Sequence, residues 1–265
     1  MKKITAQYLR DSMPEWKKKK DPMLVRYITR PLSFYIAAVL ANQGISANSV
    51  SYFSTLVAIS GAFCYLFNNH VLNILGATLI FVWLVLDCVD GNLARSVKRQ
   101  PFGEFADGIS SYILIGIMVT CIGYAAYNEG GVFIHAGSAW IIVVGAFASV
   151  SDTMMRLIYQ KYRATEREMA DKNILPIEND VFQDHSQVDN WKVKVNMELG
   201  IPSVLTVLII VSSIFCWLDI VVFYCFAYYG SACGVSSIMY IRKAIELANK
   251  YQNNMPQPDL SALEE

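Results

Sequence analysis

Six stretches of this 265-residue chain are apolar enough to decide its surroundings before any motif is considered: residues 50–67, 71–86, 109–127, 132–151, 201–218 and 220–241. A helix rises about 1.5 Å per residue, so roughly 18 to 20 apolar residues cross the hydrocarbon core of a bilayer. The second run is short by itself, but it continues helically through Asp87 and Asp90 toward Arg95. One such run could be a buried core helix; six in one chain predict six transmembrane helices, and a hydrophobic content of 54% agrees. The fold class read from the sequence is all-α: an integral membrane bundle of six transmembrane helices preceded by an interfacial amphipathic helix.

The 22 basic residues balance the 22 acidic ones, so net charge says nothing about partners, and no nucleic acid is expected among them. The distribution of Lys and Arg says more. Nine lie at or before Arg30, three within 95–99, five within 156–172, two at Lys192 and Lys194, and three from Arg242 onward. None falls in 68–70, in 128–131 or around Asp219, the connections that alternate with the basic ones. The positive-inside rule puts both termini and the Asp87 region on the cytoplasmic side. An even number of spans gives the same answer.

Three regions follow: a basic cytoplasmic arm at 1–29, a membrane domain at 30–250 and a polar tail at 251–265. The arm lacks an apolar h-region and a small-residue cleavage site, so it reads as part of the mature protein rather than a signal peptide. With Lys17 to Lys20 it reads as solvated, either an ordinary charged tail or one drawn to anionic lipid headgroups. Residues 30–44, with Pro31 near the start and Gly44 at the end, are too short to span and suggest the interfacial helix. "SANS" at 46–49 supplies capping side chains for the first span, with Asn48 or Ser49 expected as N-cap. The polar stretch 162–196 is expected to be a helical extension followed by a loop. "GSACG" at 230–234 fits a close helix contact, either within the chain or at the seam of a homodimer. The six cysteines read as small buried hydrophobes, and His70, His135 and His185 have no ligand spacing.

The chemistry lies in "DCVDGNLARSVKRQPFGEFADGISS", residues 87–111. Asp87 and Asp90, three apart, share a helical face. The next helix opens with Glu104, Asp107 and Ser111 at spacings of three and four, so two helices present acidic stripes at one membrane depth. Clustered carboxylates repel and are costly to desolvate. A divalent cation resolves both problems, and hard oxygen donors without histidine point to Mg2+, Mn2+ or Ca2+. Gly91 and Gly103 leave room for a nucleotide or a neighbouring backbone, Ala94 keeps the face small, and Arg95 can meet a phosphate bidentately. A solvated helix end with Arg95 as a topology signal is the plainer alternative.

These residues resemble the CDP-alcohol phosphotransferase (CDP-alcohol phosphatidyltransferase) family, whose eight-residue signature is D-x2-D-G-x2-A-R-x(7 or 8)-G-x3-D-x3-D. Asp87, Asp90, Gly91, Ala94, Arg95, Gly103 and Asp107 match seven of its eight positions. The "ANS" segment resembles the family's Pro-Asn lead-in to the first span, with Ala47 in place of proline. The resemblance implies a divalent-metal-dependent transferase that moves a phosphoalcohol group from a CDP-alcohol donor to a lipid or polar alcohol acceptor with release of CMP, in phospholipid or cell-envelope glycan synthesis. It further implies one or two Mg2+ or Mn2+ ions on Asp87, Asp90 and Asp107. A nucleotide pocket would be shaped by Gly91, Ala94, Arg95 and Gly103.

The eighth position, where the family places an aspartate that joins the metal site and serves as base, is Ser111. A serine hydroxyl cannot act as that base. Four readings stay open: Glu104 or Asp152 substitutes; the acceptor is already anionic; the chain is an inactivated variant, natural or engineered; or it is a catalytically silent membrane protein that binds CDP-alcohol or lipid. An ion pathway is disfavoured because the acids gather at one interface. Prenyltransferase chemistry fits the Gly-Ala-Arg continuation poorly.

Overall fold

The computed structural model describes residues 3–176 and 191–254, leaving aside the Lys192 side chain. Among the described residues all regular structure is helical: α1 (Ala6–Asp11), α2 (Glu15–Lys20), α3 (Arg30–Asn42) after a π-helical turn at Val25–Thr29, α4 (Ala47–Cys64), α5 (His70–Ser96), α6 (Gly103–Glu129), α7 (Trp140–Asp171), α8 (Trp191–Leu199), α9 (Thr206–Phe215) after a second π-helical turn at Ile201–Leu205, and α10 (Leu218–Tyr251). Five segments are long and apolar enough to cross a membrane: α5, α6, α7, Val193–Phe215 and Leu218–Asn254. The sixth expected span, α4, has 18 residues, and Asn48, Ser49, Ser51, Ser54 and Thr55 occupy its first half.

The core runs along the bundle axis. Ala58, Ala62 and Tyr65 of α4 meet Ala77, Ile80 and Trp83 of α5, with Leu114, Met118 and Ile122 of α6 and Val221, Val222 and Cys225 of α10. Small residues let these helices approach closely, since lipid supplies no hydrophobic drive between them. A Cβ on Gly76 would stand 2.7 Å from the Gly61 carbonyl oxygen, and one on Gly145 would stand 2.6 Å from that of Val119. Some buried polar groups pair across the bundle, as membrane burial favours: Tyr65 and Ser213 share a hydrogen bond of 2.8 Å, and Trp83 Nε1 donates to Ser110 Oγ at 2.7 Å.

Several expectations need correction. The α4 N-cap is Ser46, whose hydroxyl accepts from the Ser49 amide, rather than Asn48 or Ser49. The fourth helix begins at Trp140, eight residues beyond the start of its apolar run. Gly130 and Gly137 take positive φ there, and the fully buried Asp219 carboxylate accepts from the amides of Val132 and Phe133 at 3.1 and 2.7 Å. Those two amides are thereby satisfied outside a helix. Among the described residues nothing lies within 4 Å of a Cβ added to Gly230 or Gly234, so the two glycines of "GSACG" make no close helix contact there. The helical extension after the fourth span does form, to Asp171. The loop beyond 176, His185 and the tail from 255 lie outside the described residues.

The arm departs most from expectation. Instead of a solvated tail, α1 and the residues after it pack onto the bundle: Leu9 and Met13 are buried in a second cluster with Phe34, Ala37, Ala47, Val50, Val89 and Leu93. Asn42 exchanges hydrogen bonds with the Ile4 backbone, and buried Asp21 receives two bonds from Arg30, at 2.8 and 3.0 Å. α3 buries Phe34, Ala37 and Ala38 on this side and exposes Leu32, Tyr35, Ile36 and Val39 on the other.

Candidate active site

α5 begins at Asn69, whose side chain caps the amides of Val71 and Leu72, and runs without a break through both aspartates to Ser96. The turn that follows is fixed by Asn48, which donates to the Pro101 carbonyl at 2.9 Å and takes Gln100 Oε1 on its own amide at 3.4 Å. Phe102 adopts a left-handed φ of 58°, and Gly103 starts α6. A Cβ on Gly103 would come within 3.6 Å of Asn48 Oδ1. This reversal carries α6 back into the bundle beside α5, and the carboxyl groups of Asp87 and Asp107 meet within hydrogen-bonding reach.

A cavity of about 1160 Å³ opens at this end of the bundle. Asp87, Asp90, Gly91, Ala94, Arg95, Gly103 and Asp107 all line it, from two helices and the turn between them. Ser51 of α4 donates to Asp90 Oδ2 at 2.6 Å and holds that carboxylate in place. The Arg95 guanidinium folds back over Gly91, where a Cβ would meet it at 2.8 Å, and donates to Asn92 at 3.4 Å. A larger residue at 91 would have to displace the guanidinium.

Ser111 does not line the cavity; its hydroxyl donates to the Gly108 carbonyl at 3.0 Å. Glu104 lines the rim, 83% exposed, and is ion-paired with Arg99 at 3.3 Å. Asp152 is buried away from the cavity and bonded to Arg156 at 2.6 Å. Of the two supposed substitutes, Asp152 lies outside the cavity, while Glu104 shares it with Asp107 but is paired with Arg99. His70, read as incidental, lies 3.4 Å from Cys216 at the other end of the bundle.

The cavity also contains residues that sequence reasoning left aside. Trp16, Lys17 and Lys20 of the arm form one wall, with Arg30 behind them. Burial draws the Lys17 ammonium below its ordinary pKa, and Asp21, 3.3 Å away, draws it back up. Arg30 also donates to the Cys88 carbonyl and to Asn92 at 3.2 and 3.3 Å, tying the arm to the turn of α5 that bears the aspartates. The Lys run was the one signal of this wall, and it reads equally as solvated charge.

Asp87, Asp90 and Asp107 line one cavity, although the three do not bring one oxygen each to within 4.8 Å of one another. Among the bases of the cavity, Lys17 and Arg30 pair with Asp21 and Arg99 with Glu104, while Lys20, Arg95 and Lys98 also line it. An all-oxygen donor set suits a hard divalent ion. Residues 44–225 match a family model described as CDP-alcohol phosphatidyltransferase. No curated protein matches the chain.

Proposed function

The chain belongs to the CDP-alcohol phosphatidyltransferase family, and from that membership we propose that it transfers a phosphoalcohol group from a CDP-alcohol to the hydroxyl of a lipid or polar alcohol, releasing CMP. The observation that carries this reading is the shared cavity: the seven matched residues line it together. Asp87, Asp90 and Asp107 would hold one or two Mg2+ or Mn2+ ions, which supply positive charge against the diphosphate and the departing CMP. Arg95 and Lys17 orient the phosphate oxygens. Gly91, Ala94 and Gly103 leave space for the cytidine.

The acceptor oxygen forms a bond to the phosphorus that carries the alcohol while the bond from that phosphorus to the CMP oxygen breaks. The hydroxyl proton passes to a carboxylate. We assign that role to Asp107, one turn before Ser111 on α6, because Glu104 is held by Arg99 at the rim. In the membrane, α4 serves as the sixth span beside α5 and α6, with α3 at the interface. The basic arm and the cavity face the cytoplasm, where a soluble nucleotide headgroup reaches the site.

Purified protein supplied with Mg2+ or Mn2+ and a panel of CDP-alcohols and alcohols is expected to release CMP. Asp107→Asn is expected to slow release by about 10²-fold or more, and Ser111→Asp to leave it within about ten-fold of the native rate. Absence of both CMP release and CDP-alcohol binding across the panel would overturn the reading. Ser111, turned to the Gly108 carbonyl outside the cavity, favours a second one: a membrane protein that binds CDP-alcohol without turning it over. It predicts binding with no CMP release, and activity awakened by Ser111→Asp.

A further inference from the structure

The end of the bundle opposite the acidic cavity carries a cluster that the phosphotransfer reading does not use. His70 opens α5, Glu129 closes α6 and Cys216 follows the last turn of α9. His70 and Asp87 lie 17 positions apart on one helix, about 25 Å along its axis. The three side chains bring one donor atom each to within 4.8 Å of one another, and His70 Nδ1 stands 3.4 Å from Cys216 Sγ.

Two further features mark the place. Asn73 Nδ2 donates to Glu129 Oε1 at 2.8 Å and orients the carboxylate, while Glu129 Oε2 is buried with no hydrogen-bond partner among the described residues. A buried carboxylate oxygen without a partner is costly. Cys216, with a left-handed φ of 57°, ends α9 through its amide bond to the Ser212 carbonyl. That conformation is uncommon for a residue other than glycine, Asn or Asp, and here it turns the chain at the point where the thiol meets the imidazole.

We propose that His70, Glu129 and Cys216 form a zinc-binding site. An imidazole nitrogen, a thiolate sulfur and a carboxylate oxygen make a mixed, borderline-soft donor set suited to Zn2+, unlike the all-oxygen set of Asp87, Asp90 and Asp107. The ion would engage the unpartnered Glu129 Oε2. Three protein ligands leave a fourth tetrahedral position for water. Asn73 acts behind the carboxylate, as outer partners of metal ligands do. The site joins the ends of α5, α6 and α9, whose ligands come from sequence positions as much as 146 residues apart.

The test uses full-length protein in detergent, stripped with chelator and equilibrated with Zn2+ in the presence of excess Mg2+. One zinc per chain is expected to stay bound through gel filtration. Asn73→Ala should weaken binding by about 10- to 100-fold, and His70→Gln and Cys216→Ser by at least as much, with Asp90→Asn retaining it. Co2+ in place of Zn2+ should give a thiolate-to-cobalt charge-transfer band that Cys216→Ser abolishes. Should the variants fail to fold, the native chain still decides: Zn2+ is expected to slow maleimide alkylation of Cys216, mapped by mass spectrometry. Lack of retained zinc, equal retention by His70→Gln and Cys216→Ser, or alkylation indifferent to Zn2+ would overturn the proposal.

Discussion

Ser51 donates to Asp90 from a helix that carries none of the seven matched residues, so it tests the carboxylate site without altering a carboxylate. Ser51→Ala is expected to lower the apparent Mg2+ or Mn2+ affinity of the transfer reaction by about 10- to 100-fold, because an outer partner that orients a ligand is lost. Asp90→Asn should remove activity that added metal cannot restore. Titrating CMP release against metal separates the two, and a Ser51→Ala curve superimposed on the native one would refute the role given to Ser51. The convergence of Asp87 with Asp107 was legible, because i, i+3 spacing puts Asp87 and Asp90 on one face and a short polar turn returns the chain beside them. Ser51 was not legible as their partner: its hydrogen bond spans 39 residues, and a serine in an apolar run looks like any small helix residue.

At the scale of elements, α2 matters because its Trp16, Lys17 and Lys20 wall one side of the acidic cavity. Besides the burial of Leu9 and Met13, the arm is attached by the Asp21–Arg30 pair, in which both side chains are almost wholly buried. Arg30→Ala would leave buried Asp21 with only the Lys17 ammonium beside it and without its two guanidinium hydrogen bonds, which is destabilising. Lowered thermal stability of the full chain in detergent is the expected readout. Arg30→Lys should recover only part of it, since an ammonium cannot reproduce the two-pronged contact. Lys17→Ala, by contrast, is expected to raise KM for the CDP-alcohol with little change in melting; an unaltered KM would remove Lys17 from the phosphate-binding wall. Long apolar helices could be read from the sequence since their burial pattern is local. The arm could not, because Leu9 and Met13 are isolated apolar residues among charges and find their partners only on α3, α4 and α5. The late start of α7 escaped notice for the same reason, as it depends on Asp219, 86 residues beyond Phe133.

For the molecule as a whole, the proposal stands or falls with orientation, because a CDP-alcohol site needs access to soluble nucleotide. The acidic cavity and the arm carry Lys17, Lys20, Arg95, Lys98 and Arg99 at one end of the bundle. The opposite end holds the connection 130–139, which has no lysine or arginine. Basic residues are retained on the cytoplasmic side during insertion, and the proposed orientation, with the cavity inward, rests on this charge difference. Two substitutions at exposed positions test this, Lys98→Cys beside the cavity and Ala136→Cys in the opposite connection. With a membrane-impermeant maleimide, Ala136→Cys is expected to label in intact cells and Lys98→Cys only after permeabilisation. Mass mapping separates the new thiols from the native cysteines, of which Cys216 is exposed at the same end as Ala136. The reverse pattern would put the cavity outside, away from cytosolic nucleotide, and the transfer reaction would then lack its donor. Labelling of both positions in intact cells would mean that the two ends share one side, which requires an even number of crossings between 98 and 136. Since α6 alone connects them, that outcome would remove α6 from the membrane, and the six-span architecture with it.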